Sequence, residues 1–320
     1  MECFRWVLAS AQERKSEQAD DLDRADDPRT PERIRAHYEI EVELSNRLRD
    51  APPDRRRELY GQVYDELFER VPDHPQLTRR SGPAEQAAYA RSQVDLVRRF
   101  LPVGGTYVEI GAGDCATVRR VAEFASTAIA VEVSEDIVPS DLPENVDVQI
   151  SDGVEVPVAA GSADVVYSNQ LMEHLHPDDA MEQLRNIATA LRPGGRYICI
   201  TPNRLTGPHD ISAAFDEEAR GFHLREYTYR ELARALRVAG LRQIRVAERP
   251  EGRAYARLVA LIRSISADTG DKMERLGRGA LVLPLAPYLF VERIAAAWPG
   301  APAEVRVFRR LLEITIVAER

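Results

Sequence analysis

The segment Val108-Glu109-Ile110-Gly111-Ala112-Gly113-Asp114-Cys115-Ala116 runs an apolar strand into a two-glycine turn and then into a helix. Few folds accommodate such a junction. Glycine at 111 and 113 permits positive φ and lets a ligand approach the backbone closely. Around the turn, apolar strands alternate with amphipathic helices, the pattern of a parallel sheet covered on both faces. The strands are expected at 107–110, 128–133, 146–150, 163–168, 196–201, 243–247 and 312–318, with helices at 84–100, 115–125, 178–191 and 229–239. The helix at 178–191 follows His176-Pro177 and ends before Pro193-Gly194-Gly195. The helix at 229–239 opens with the capping box Thr228-x-x-Glu231 and stops at Gly240.

Five regions follow along the 320 residues. Residues 10–29 carry eleven charges in twenty positions, so 1–29 is expected to be a mobile charged arm. An N-terminal helical cap follows at 30–83. Thr30-Pro31 suits a helix start, with Ile34, Tyr38, Val42, Ser45 and Leu48 at helical spacing. Asp54 is expected to cap a second helix, whose stripe holds Leu59, Tyr60, Val63, Tyr64, Leu67 and Phe68. The alternating core occupies 84–248, with a lid loop at 203–227. A helical insertion fills 249–305, and 306–320 returns the last strand.

Composition removes several function classes. Lys plus Arg is 43 against 52 Asp plus Glu, a net charge of −9, which is a poor match for nucleic acid. Three scattered cysteines support neither a disulfide framework nor a zinc site and point to a reducing, cytoplasmic setting. No leader is legible in the opening residues, and no apolar run is long enough to span a bilayer. The most apolar stretch, residues 279–291, is broken by Pro284 and Pro287. It reads as packing onto the body, as an apolar wall for a ligand, or as a subunit contact of a homodimer.

Read literally, Gly111 to Ala116 fits a dinucleotide fingerprint, and Glu132 ends the next strand nineteen residues beyond Gly113. Glu109 argues otherwise, because a carboxylate two residues before the first glycine suits a cation better than a pyrophosphate. Asp152-Gly153 closes the third strand, and the run SDGVEVPVAAGSADVVYSNQLMEHL leads on to ALRPGGRYICITPN. This order closely resembles the class I S-adenosylmethionine-dependent methyltransferases, particularly the UbiE/COQ5-like, type 11 group, over residues 84–248 and the final strand.

The resemblance implies a Rossmann-like, seven-stranded, mostly parallel sheet whose last strand is antiparallel. It implies S-adenosylmethionine as cofactor, with S-adenosylhomocysteine as product. Glu109, Gly111, Ala112 and Gly113 would line the methionine part and ribose. Glu132, with Val133 beside it, would take the ribose hydroxyls, and Asp152 with Gly153 would read the adenine. Asn169 and Gln170 would meet the amino-acid end. Asp114-Cys115 and Glu132 depart from the commoner residues there. Cys115 reads either as a small residue that fits the loop or as a thiol of lowered pKa at a helix start.

A hydroxyl acceptor needs a base. Four of the six histidines, His174, His176, His209 and His223, follow the fourth and fifth strands on the side where such sheets bind ligands. His174, His209 and His223 are therefore the candidate catalytic residues, whereas His176 reads as a surface or capping residue. His209-Asp210 alone offers too few oxygen ligands for magnesium, so no metal is expected. The expected activity is methyl transfer to an oxygen, or less readily a nitrogen, of a small natural-product, sugar or glycolipid intermediate. A peptide or other macromolecular acceptor, and a non-catalytic S-adenosylmethionine binder, are the alternatives.

Overall fold

A computed structural model describes residues 27–78, 83–133, 135, 138–204, 207–247 and 313–320. The chain opens with helices α1 (Pro31–Asp50), α2 (Pro53–Arg70), the single turn α3 (Pro75–Thr78) and α4 (Pro83–Arg98). Then come β1 (Thr106–Ile110), α5 (Ala116–Ala122), β2 (Thr127–Glu132), β3 (Val146–Ile150) and β4 (Ala163–Asn169). A 3₁₀ turn at Met172–His174 precedes α6 (Pro177–Ala190) and β5 (Leu191–Pro202). A second 3₁₀ turn at Ile211–Ala214, α7 (Tyr229–Val238), β6 (Arg242–Val246) and β7 (Glu313–Glu319) complete it.

The seven strands lie in the order β3-β2-β1-β4-β5-β7-β6. All the pairings among β1 to β5 are parallel, and β7 runs antiparallel to both β5 and β6. The expected α/β sheet with one reversed last strand is what forms. Side chains alternate across the strands, so Val108 and Ile110 join one apolar layer while Tyr107 joins the other. Leu59, Val63, Leu184, Ile187, Leu232 and Leu236 cover the first face; Val94, Val97, Val118 and Val121 cover the second. Burial on both faces explains why these strands read as continuous apolar runs.

The caps that were legible in the sequence form, with one exception. Thr30 accepts from the backbone of Arg33 at 3.4 Å, and the Thr228/Glu231 capping box closes in both directions. His176 is the N-cap of α6 and accepts from the Asp178 backbone at 3.3 Å. The exception is Asp54, because α2 starts at Pro53 behind an N-cap at Pro52 that makes no side-chain bond. Asp54 sits in the first turn instead, where its charge still favours the helix dipole.

The inward stripe of α1 is also shifted by one position. Ile34, His37, Glu41, Leu44, Ser45 and Leu48 are buried, so two polar residues occupy the face that apolar spacing assigned to Tyr38 and Val42. The cap is fastened to the core by an ion pair, in which Arg56 of α2 grips Asp179 of α6 through two bonds of 2.6 and 2.7 Å. The Tyr60 hydroxyl donates to the same carboxylate at 2.8 Å and accepts from the His176 backbone at 2.9 Å. Of the charged arm expected at 1–29 only 27–29 are described, and there Arg29 pairs with Asp27 and meets His37 Nδ1; the insertion at 249–305, including 279–291, lies outside the described residues.

Candidate functional site

The strand order reverses direction between β1 and β4, the switch point at which open α/β sheets bind ligands. At the carboxyl end of β1 the turn is made as its glycines demand: Gly111 has φ 72° and Gly113 φ 54°. A Cβ on Gly111 would also meet Leu171 Cδ1 at 3.4 Å. Cys115 adopts φ 58° as the N-cap of α5, and Asp114 accepts from the Ala116 backbone at 3.0 Å. The Cys115 thiol is fully buried. Burial, reinforced by Glu109, Glu132 and Asp114, pushes it up to about 11. It is a packing residue, and the activated-thiol reading falls.

Two buried carboxylates face this loop. Glu109 on β1 accepts from the Tyr107 hydroxyl at 3.1 Å, while burial and the charges of Glu132 and Asp114 drive its pKa to about 8. Glu132, the last residue of β2, accepts from the Gly113 backbone N–H and from that of Val133 at 3.3 Å. Burial raises its pKa as well, against those two bonds. Neighbouring buried acids of this kind favour a cationic ligand, which relieves both desolvation and repulsion.

Asp152 follows β3. Its Oδ1 accepts from the backbones of Val154 and Glu155 at 2.9 and 2.8 Å, and its Oδ2 takes Arg57 of α2 at 3.2 Å. Gly153, at φ 84°, has Tyr60 and Val133 within van der Waals reach of where a Cβ would stand. The helical cap therefore reaches the β2–β3 side of the cleft, which the sequence did not indicate.

Asn169 and Gln170 close the β4 side of the loop. Asn169 Nδ2 donates to the Tyr89 hydroxyl at 2.8 Å, and Gln170 holds φ 54°, unusual for a residue with a Cβ. Asn169 Oδ1 and Gln170 Nε2 are buried and meet no hydrogen-bond partner among the described residues. One is an acceptor and the other a donor, and buried atoms of that kind call for a ligand or water.

Beyond β4 and β5 the structure gathers His174 and His223, with ring centroids 5.0 Å apart and at right angles within about ten degrees (79°). His174 Nδ1 meets the Phe222 carbonyl at 3.1 Å and the Tyr64 hydroxyl at 2.9 Å. Burial, with His223 adding to it, lowers its pKa to about 3 and keeps the ring neutral. His223 Nδ1 bonds Glu226 at 2.8 Å; burial opposes its charge, but Glu226, Glu173 and Asp210 outweigh burial and raise its pKa. His209 joins only indirectly, since its backbone donates to Glu226 at 2.7 Å while its Nε2 is engaged by the Asn203 carbonyl at 3.1 Å.

Two acids here escaped sequence reading. Glu173 is wholly buried, accepts from the Thr201 hydroxyl at 2.9 Å, and is driven to about 7 chiefly by burial. Glu226 was detectable only as an acid three residues after a histidine. Glu41 likewise hides on an amphipathic helix. Burial raises the Glu41 carboxyl, but bonds from His37 and His74 overcome that and hold it near 2. It also accepts from the Phe222 backbone at 3.1 Å, tying α1 to the 207–227 segment. Among the described residues no helix is long and apolar enough to cross a membrane.

Comparison with known proteins shows the family of the chain. A family described as "Methyltransferase domain" matches residues 84–246. A protein of Mycolicibacterium smegmatis named probable S-adenosylmethionine-dependent methyltransferase is 31% identical over 139 residues, 43% of this chain and 52% of that protein. A dimethylglycine N-methyltransferase of Parasynechococcus marenigrum is 30% identical over 116 residues, 33% of this chain and 41% of that protein. The chain thus spans about half the length, or less, of these curated relatives. The solved structure of a SAM dependent methyltransferase from Archaeoglobus fulgidus overlays with TM-score 0.46 and 14% identity, covering 80% of this chain and all (100%) of that one.

Proposed function

We propose that this chain, which belongs to the methyltransferase-domain family of class I S-adenosylmethionine-dependent enzymes, transfers the donor's methyl group to an oxygen of a small-molecule acceptor. The observation that carries the donor assignment is the lining of the cleft. Buried Glu109 and Glu132 suit the sulfonium, the ammonium and the ribose hydroxyls, while Gln170 Nε2 and Asn169 Oδ1 supply the donor and the acceptor that an amino-acid end requires. Gly111, Ala112 and Gly113 let that ligand lie against the backbone, and Val133 with Gly153 and Tyr60 forms an apolar wall for a base. Asp152 keeps Oδ2 on Arg57 and would share it with the adenine amino group.

The bound donor supplies an electrophilic methyl on a positively charged sulfur. The chain's task is to align an acceptor with it, exclude water and dispose of the acceptor's proton. The proton-handling groups are those gathered beyond β4 and β5, where His174, His223, Glu173 and Glu226 meet; His209 supports them through Glu226 and is the weakest of the three histidine candidates. The lid is formed by α1 and α2 with the 207–227 segment. Tyr64 stacks on Phe222 at 4.8 Å, Ser45 donates to the Arg220 carbonyl at 2.7 Å, and Tyr38 packs on Phe215 at 4.5 Å.

Nitrogen transfer is the second reading, favoured by the likeness to the dimethylglycine N-methyltransferase. Incubation with methyl-labelled S-adenosylmethionine and small-molecule extracts tests both. A labelled product of low mass, with label on oxygen, supports the first reading. Label on nitrogen supports the second, and label only on protein overturns both.

A further inference from the structure

Two clusters of two histidines and one glutamate lie among the described residues with their ligand atoms within 4.8 Å of one another: His37-Glu41-His74 and Glu173-His174-His223. They contain the same side chains but are wired in opposite ways. In the first, Arg29 Nη1 sits 2.9 Å from His37 Nδ1. A guanidinium can only donate, so His37 Nδ1 accepts and the ring proton lies on Nε2. That N–H donates to Glu41 Oε1 at 2.7 Å, so His37 offers this cluster no lone pair. It is a hydrogen-bond chain.

The second cluster presents the reverse. The Phe222 carbonyl can only accept, so His174 carries its proton on Nδ1 and leaves Nε2 with a lone pair, 3.9 Å from Glu173 Oε1. Glu226 holds Nδ1 of His223 in the same way, so that the neutral ring, the form a cation would bind, carries its lone pair on Nε2. The Thr201 hydroxyl donates to Glu173 Oε2, and Oε1, on a residue with no exposed surface, meets no donor among the described residues. Each would-be ligand thus has a partner on its far atom: a backbone carbonyl, a carboxylate and a hydroxyl. That outer ring is how proteins fix the tautomer and orientation of metal ligands.

We propose that Glu173, His174 and His223 bind a zinc-class divalent cation, and that its remaining position takes the acceptor's oxygen. Two imidazoles and one carboxylate form a three-ligand set that leaves a coordination position for substrate. Zinc bonds of about 2.0–2.2 Å place tetrahedral ligand atoms about 3.3 Å apart, so closing onto the ion asks for shifts on the order of an ångström. The catalytic role deepens the reading of oxygen transfer and rests on it. In this reading the three residues hold the ion instead of taking the proton themselves: a coordinated hydroxyl gives its proton to solvent as the acceptor enters, and the new oxygen–carbon bond then forms as the carbon–sulfur bond breaks. The electron pair stays on sulfur, and the zinc changes neither charge nor oxidation state. The sequence concealed this set because the ligands come from two segments, 173–174 and 223, and because His209-Asp210 drew attention to the wrong pair.

The test is titration of tag-free, chelator-treated full chain with zinc alone, and with cobalt for its visible spectrum, without methyl donor or acceptor. The expected result is one ion per chain with a four- or five-coordinate cobalt spectrum. Glu173→Gln, His174→Ala and His223→Ala should each weaken binding at least tenfold, and Glu226→Gln by about 10–100-fold as an outer-ring partner. Far-UV circular dichroism shows whether each variant is folded, and His37→Ala should bind as wild type does. Absence of stoichiometric binding overturns the proposal, as does binding that survives His174→Ala/His223→Ala or is lost in His37→Ala. S-adenosylhomocysteine affinity, measured in parallel, separates the two claims. If it persists while no ion binds, the cation proposal alone falls. If an ion binds but S-adenosylhomocysteine does not, the ion's role in methyl transfer falls.

Discussion

Glu132, at the end of β2, accepts a hydrogen bond from the backbone N–H of Gly113 in the loop after β1. One carboxylate therefore braces the left-handed turn and presents its charge to the cleft. Glu132→Gln keeps the volume but loses the charged acceptor. Bonds to charged groups contribute about 2–3 kcal/mol, so S-adenosylhomocysteine affinity should fall roughly 30–150-fold. Thermal-shift titration of both proteins checks it, with the ligand-free melting temperature showing that the fold is kept.

Gly111 is constrained twice, by its positive φ and by Leu171 at 3.4 Å from any added Cβ. Gly111→Val should abolish S-adenosylhomocysteine binding, because β-branching makes the left-handed conformation costly and the side chain enters the ligand's path. Ligand-induced thermal stabilisation reports it; unchanged stabilisation would show that nothing lies against this turn.

The sheet was legible because buried parallel strands announce themselves as apolar runs and the helices between them by period and caps. Six of the seven strands fall within one residue of expectation at each end; β5 instead begins five residues early, at Leu191, because Leu191 already pairs with Ala163 ahead of Pro193-Gly194-Gly195. The glycine turn and the acids on β1, at the end of β2 and after β3 were legible for the same reason, since they lie at or near strand ends. The far side of the cleft was legible only in its histidines. Glu173, Glu226, Tyr64 and Glu41 act through contacts between distant segments, and a glutamate on an amphipathic helix looks solvated until its partner is known. Cys115 illustrates the converse, because a helix start suggests a thiol of lowered pKa while burial beside three acids raises it.

The Arg56–Asp179 pair is almost wholly buried, with side chains 3% and 2% exposed. Removing one partner leaves an uncompensated charge, so Arg56→Ala should cost about 3–5 kcal/mol. Urea unfolding should show a lower midpoint, and Asp179→Asn in the Arg56→Ala background should restore part of the loss.

Glu109 has a pKa of about 8 in the fold against an ordinary 4.5. Between those values the folded chain binds the extra proton, so this group makes stability fall as pH rises from about 4.5 through about 8 and adds no slope above it. Glu109→Gln should flatten that part of the profile. The methyl donor, S-adenosylmethionine, is cationic and favours the ionised form, so its binding at pH 7 should release a proton. Buffer-dependent heats in wild type, absent in Glu109→Gln, would register it.

The central claim is that the cleft at the β1–β4 switch point takes the methyl donor and not a nicotinamide dinucleotide. Calorimetric titration of the full chain with S-adenosylhomocysteine and, separately, with NAD tests it most directly. One S-adenosylhomocysteine per chain and no NAD heat are the expected result. Saturable NAD binding at this cleft, with none by S-adenosylhomocysteine, would contradict it.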